Sequence, residues 1–158
     1  MSNGQWAMDA GSLKLLDERL AGLRPALSVE CGSGASTPIL RRWSGWAVSF
    51  EHLPDQALAV AGLDVPGEVR IVPVQDSFYR THPPDGIEFA LIDGPVARLH
   101  GRGGTLPGLW RHLAPGAVVW LDDFDREHEQ QCVAGWAEMY DFDTERVDDF
   151  VVEIRPKW

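Results

Sequence analysis

Apolar positions along the chain switch between two periods, and the switches fall at glycines and prolines. Leu13, Leu16, Leu20 and Leu23 recur at helical spacing with charges between them. That pattern predicts a helix over residues 9–24, ending near Pro25. Residues 26–30 form a short apolar run, read as the first strand. Residues 37–43 predict a short helix with Pro38 in its first turn, where a missing N–H costs little. Residues 46–51 read as the second strand, 55–62 as a helix closing on a glycine, and 68–72 as the third strand. Residues 76–86 hold Pro83, Pro84, Asp85 and Gly86, a loop signature. Residues 87–92 read as the fourth strand. Its stretch Phe89-Ala90-Leu91-Ile92 has no polar residue, as a strand buried on both faces requires.

The second half repeats the alternation. Residues 105–113 predict a helix, with Pro107 and Gly108 working against it. Residues 117–121 read as a fifth strand and 126–140 as a long helix. Residues 142–155 read as two strands joined around Asp148-Asp149. The expected fold is α/β, a Rossmann-like three-layer sandwich. Its sheet is mainly parallel, with seven strands and an antiparallel C-terminal strand. A chain of 158 residues suits one domain, with an N-terminal helix in residues 1–25 and the core in 26–158.

Charge narrows the partners. The formal net charge is −10, which repels a phosphate backbone, so nucleic acid is not expected. No apolar run approaches the roughly 20 residues that span a bilayer, so no membrane association is expected. Residues 1–10 lack a basic segment followed by an apolar one, so no signal peptide is expected. Two cysteines, Cys31 and Cys132, make no disulfide framework, which favours a reduced, cytoplasmic setting. The seven tryptophans are spread along the chain and read as packing residues rather than a substrate cage.

Candidate chemistry gathers at strand ends. The first strand ends at Glu30, the second at Glu51, the fourth at Asp93 and the fifth at Asp122-Asp123, with Asp76 just after the third. Side chains at the carboxyl ends of such strands converge on one rim. A rim of carboxylates is costly unless hydroxyls, an amine or a metal ion partner it. Gly32 and Gly34 follow Glu30 directly, and glycine lets backbone approach a ligand closely.

Taken together, these motifs resemble the class I S-adenosylmethionine-dependent methyltransferases, from about residue 26 to the C-terminus. Glu30-Cys31-Gly32-Ser33-Gly34 is similar to that family's cofactor loop. The resemblance implies that Glu30, Gly32 and Gly34 hold the methionine end of S-adenosylmethionine and Glu51 the ribose, with Cys31 and Ser36 also among the cofactor-binding residues. It implies that Asp76-Ser77 stand on the adenine side; His52, next to Glu51, either lines the adenine pocket or is a surface histidine. Leu91-Ile92-Asp93-Gly94-Pro95 resembles the family's fourth motif, which makes Asp93 both a cofactor neighbour and the candidate catalytic residue facing the acceptor. Leu113-Ala114-Pro115-Gly116-Ala117-Val118-Val119 resembles its turn into the fifth strand.

A narrower likeness concerns metal-dependent catechol-type O-methyltransferases, which carry an Asp after strand four and an Asp-Asn pair after strand five. Here Asp93, Asp122 and Asp123 are the candidate ligands of Mg2+, a hard cation that takes oxygen donors. The pair is Asp-Asp, and the lysine those enzymes carry after the fourth-strand Asp has no counterpart in Gly94-Pro95-Val96-Ala97-Arg98. The expected function is methyl transfer to a small-molecule acceptor, with a hydroxyl as first choice. The long N-terminal helical cover common in such enzymes has no counterpart here, so a second copy of the chain is a candidate to complete the substrate pocket.

Other readings compete. One of Asp122 and Asp123 can instead cap the following helix. The glycine-rich stretch with Arg98, His100 and Arg102 is either a solvated loop or a lid gripping a substrate anion. Tyr79, Arg80 and His82 lie in another rim loop, and His82 or His100 is a candidate general base. A non-catalytic cofactor- or partner-binding module would keep the fold without chemistry. A nicotinamide-dependent oxidoreductase would want a third glycine where Thr37 stands.

Overall fold

The computed structural model describes residues 7–158, so Trp6 and most of the segment read for a signal peptide lie outside it. The elements run α1 (Ala10–Leu23), β1 (Leu27–Cys31), α2 (Thr37–Trp43), β2 (Trp46–Glu51), α3 (Pro54–Ala61), β3 (Glu68–Ile71), β4 (Val74–Gln75), β5 (Phe78–Tyr79), β6 (Ile87–Ile92), α4 (Ala97–His100), α5 (Thr105–Trp110), β7 (Leu113–Leu121), α6 (Glu127–Ala137), β8 (Phe142–Arg146) and β9 (Val152–Pro156). Asp9 starts α1: its carboxylate accepts from the Gly11 and Ser12 amides at 2.8 and 3.3 Å, satisfying donors that a helix start leaves free.

The main sheet has seven strands in the order β3-β2-β1-β6-β7-β9-β8. From β3 to β7 every pairing is parallel, and β9 runs antiparallel between β7 and β8. The chain steps outward from β1 to β3, then returns to the other side of β1 with β6. That reversal is the switch point at which open α/β sheets leave a crevice beyond their strand ends.

Along the apolar stretch Phe89–Ile92 of β6, residues alternate between two cores. Phe89 and Leu91 join Leu16 and Leu20 of α1, Leu40 of α2 and Trp120 of β7. Ala90 and Ile92 join Leu106 and Leu109 of α5 and Cys132 and Trp136 of α6. The result is three layers, helix on sheet on helix. Across this, Glu153 of β9 ties α1 to the sheet. It accepts from the Arg19 Nε and Nη2 at 3.0 and 2.9 Å and from the Trp120 indole at 2.8 Å.

Four expectations need correction. Residues 76–86 are not all loop: β4 and β5 pair antiparallel across Asp76-Ser77. The predicted helix over 105–113 stops at Trp110, because Leu113 pairs with Ile87 and the Gly86 and Ile87 amides both donate to the His112 carbonyl at 2.9 Å. The helix over 126–140 ends at Ala137. The stretch after β6 contains the one-turn helix α4.

Candidate active site

A cavity of about 390 Å3 opens beyond the carboxyl ends of the central strands. Gly32 and Ser33 reach it from β1, Glu51 and His52 from β2, Asp93 and Gly94 from β6, and Asp122 and Asp123 from β7. Tyr79 and Arg102 also line it. Gly32 has φ +89°, and a Cβ there would meet the Gly94 nitrogen at 3.2 Å and the Asp93 carbonyl at 3.3 Å. The glycine is thus required by the chain's own packing, since β1 and β6 come together at this point.

Glu30 stands behind this loop, not on the cavity wall. It is fully buried. Its carboxylate accepts from the hydroxyls of Ser36 at 2.8 Å, Ser49 at 2.6 Å and Thr37. Burial pushes its carboxyl up to about 7 against the pull of these donors. The Gly34 amide donates to the Thr37 hydroxyl at 2.9 Å, so Glu30, Thr37 and Gly34 form one clamp that sets the turn into α2. Cys31, Gly34 and Ser36 are also absent from the cavity lining. Burial raises the Cys31 thiol far above its ordinary range, which removes it as a nucleophile at neutral pH.

Glu51 lies on the wall, with both oxygens occupied. One accepts from the Ser33 amide and hydroxyl, each at 2.8 Å, and the other from the His52 and Leu53 amides at 2.8 and 2.9 Å. His52 packs edge-on against His100 with ring centroids 5.1 Å apart. Burial lowers its pKa, outweighing the opposite pull of Glu51. Neither His52 ring nitrogen nor the Tyr79 hydroxyl has a hydrogen-bond partner in the protein. These polar atoms on a cavity wall are suited to a ligand.

Asp76 and Ser77 fall elsewhere. Both have positive φ, 53° and 62°, as the two central residues of a tight hairpin turn require. The Ser77 hydroxyl donates to the His100 carbonyl at 2.8 Å, and neither residue lines the cavity. The β4–β5 hairpin carries them away from the rim and brings in Tyr79 instead. His82 packs edge-on against His112, also away from the cavity.

The acidic rim is real, and its counter-charge is an arginine. Asp93, Asp122 and Asp123 bring one oxygen each to within 4.8 Å of one another. Burial and the neighbouring Asp122 push the Asp93 carboxyl up. Burial and Asp123 push Asp122 up to about 6. Arg102, read from sequence as part of a lid or solvated loop, is buried among them. Its Nη2 lies 3.0 Å from an Asp123 oxygen and 3.7 Å from Asp93. The three acidic residues could bridge a divalent ion by spacing alone, but Asp123 is already paired with a guanidinium that also lies beside Asp93, so the set does not fit resident Mg2+. The helix-cap reading of Asp122 or Asp123 also fails, because the N-cap of α6 is Arg126 and no side chain caps the helix. Asp123 instead pairs with Arg126 at 2.9 Å. The sequence signal that could have located Arg102 was the unbalanced rim itself, which demanded a cation from somewhere.

No protein-family model matches the chain, and no curated sequence matches it. Solved structures do. The SAH-bound methyltransferase PaMTH1 from Podospora anserina superposes with a TM-score of 0.81 at 14% identity, over 100% of this chain and 83% of that one. The O-methyltransferase from Bacillus cereus, also in complex with SAH, gives 0.73 at 16% identity over 99% and 85%. The tRNA (m1A58) methyltransferase TrmI from Aquifex aeolicus gives 0.69 at 14% identity over 98% and 72%. The chain therefore has the fold of the class I S-adenosylmethionine-dependent methyltransferases, a fold shared by proteins with different acceptors.

Proposed function

We propose that the protein is an S-adenosylmethionine-dependent methyltransferase acting on a small-molecule acceptor, with a hydroxyl as the methylated group. The observation that carries this reading is the placement of Gly32 and Glu51 side by side on a cavity at the switch point, the position where such sheets bind ligands. The wall fits the cofactor. Gly32 lets β1 and β6 close up at the cavity floor, and His52 and Tyr79 offer unpartnered polar atoms. When bound, S-adenosylmethionine supplies a methyl group on a sulfonium, open to in-line displacement.

The residues of this chain bind and align. Glu51 receives the ribose hydroxyls, and the Ser33 hydroxyl that it now accepts gives way to them. Glu30, Thr37 and Ser36 hold the glycine turn in shape from behind, so their part in cofactor binding is positional. Asp93 accepts a hydrogen bond from the acceptor hydroxyl, points it at the methyl group and takes its proton as the O–C bond forms and the S–C bond breaks to leave S-adenosylhomocysteine, with alignment supplying much of the rate. A small acceptor is favoured over RNA by the net charge of −10 and by the carboxylates at the cavity mouth. Both cysteines are free and buried, which supports a reducing, cytoplasmic setting. No helix of the described residues is long and apolar enough to cross a membrane.

Two variants test the assignment of roles. Asp93→Ala is expected to abolish methyl transfer to a screened acceptor while S-adenosylhomocysteine affinity holds. Glu51→Ala is expected to weaken that affinity by about ten- to a hundredfold, the worth of hydrogen bonds to a charged group. Equal loss of affinity in both would overturn the division between acceptor side and cofactor side.

A further inference from the structure

Arg102 is held more firmly than an arginine in a glycine-rich loop needs to be. Its side chain is 4% exposed. Its Nε donates to the Pro95 carbonyl at 3.2 Å, Nη1 to the Asp122 carbonyl at 3.2 Å and Nη2 to the Asp93 carbonyl at 2.9 Å. The carboxylates of Asp93, Asp123 and Glu129 lie 3.7, 3.0 and 3.7 Å from its terminal nitrogens. Of the five N–H donors in its rigid fork, three are held by backbone carbonyls, and carboxylates stand beside both terminal nitrogens.

Glu129 explains why the arginine cannot step aside. It projects from α6, is fully buried, and neither of its oxygens has a hydrogen-bond partner in the protein. Among the described residues, Arg102 is the cation within 4.0 Å of it. If Arg102 swung out to admit a metal ion, Glu129 would remain as an uncompensated buried carboxylate, which is strongly unfavourable. A divalent ion such as Mg2+ would also need oxygens at about 2.0–2.1 Å in octahedral array, and Asp123, one of the three donors, already pairs with the guanidinium at 3.0 Å.

We propose that Arg102, pinned by Glu129, is the built-in cation of the Asp93–Asp122–Asp123 rim, and that this site works without a divalent metal. Arg102 is a positioning residue: it fixes the direction of Asp93 and Asp123 from behind and supplies the positive charge that a hard metal ion would otherwise bring. The inference concerns only the rim's charge balance, so it stands or falls independently of which acceptor is methylated.

The test is titration of the intact protein with Mn2+ followed by electron paramagnetic resonance, which reads free ion directly. The wild type is expected to bind no ion at the rim, and its melting temperature is expected to be the same in Mg2+ and in EDTA. Arg102→Met removes the internal cation and is expected to gain one bound Mn2+ per chain, lost again when Asp123→Asn is added. Arg102→Lys keeps a positive charge and is expected to bind none. A wild-type protein that binds Mn2+ stoichiometrically and loses it in Asp123→Asn would overturn the proposal. So would a folded Arg102→Met protein that gains no ion. Should that variant fail to fold, the wild-type and Arg102→Lys titrations decide the question alone.

Discussion

At Glu30 the fold sets a carboxyl group away from water and surrounds it with three hydroxyls. The physical consequence is a pH dependence of stability. Its ordinary pKa of 4.5 rises to about 7 in the folded chain, so between those values the folded state binds more protons than the unfolded one. Stability from this group is therefore complete below about pH 4.5 and declines as pH climbs through about 7, by about 3 kcal/mol if it acted alone. Thermal melts of the wild type should fall across that window, and Glu30→Gln, which cannot ionise, should flatten the fall. An unchanged slope in the variant would assign the titration to other groups. The two glycines of the loop separate in the same manner. Gly32→Ala should lose about 1–3 kcal/mol, because alanine resists φ +89° and its Cβ presses on Gly94. Gly34→Ala should melt like the wild type, since nothing lies within 4 Å of its added Cβ. A drop in S-adenosylhomocysteine affinity in that variant would then report the ligand and not the fold.

Among the elements, those with long uniform patterns were legible. Residues 37–43, 46–51 and 87–92 form a helix and two strands with the predicted bounds. The β4–β5 hairpin was not, because each strand spans two residues and its turn is Asp76-Ser77 rather than a glycine-bearing pair. That single unseen hairpin moved two predicted adenine contacts off the rim and brought Tyr79 onto it. The hydroxyl clamp on Glu30 was hidden for a different reason: Ser49 meets Glu30 only through the register of β1 against β2, which one strand's sequence does not contain. Arg102 was hidden because its partners Asp123 and Glu129 lie on later elements of the chain, and an arginine between glycines reads as solvated. At the start of α1 the pattern makes a plain prediction. Asp9→Ala removes the acceptor for the Gly11 and Ser12 amides and should cost about 1 kcal/mol in denaturant unfolding, with no effect on the cavity. A loss several times larger would mean that the residue does more than cap.

For the molecule as a whole, a strand order that reverses beside β1 places one cavity against four strand ends, and the sequence leaves those ends acidic. The architecture fixes where a ligand goes; the residues decide which one. Glu51 and Gly32 speak for a cofactor carrying a ribose. The acidic rim, partly offset by Arg102, and the net charge of −10 speak for a small acceptor handled without polyanion binding. The most direct measurement is calorimetric titration of the wild-type chain with S-adenosylhomocysteine, with NAD as the competing ligand. The account predicts one saturable site for S-adenosylhomocysteine, of about micromolar affinity, and no heat from NAD. Binding of NAD, or of neither compound, would contradict it and would remove Glu51 and Gly32 from any methyltransferase role.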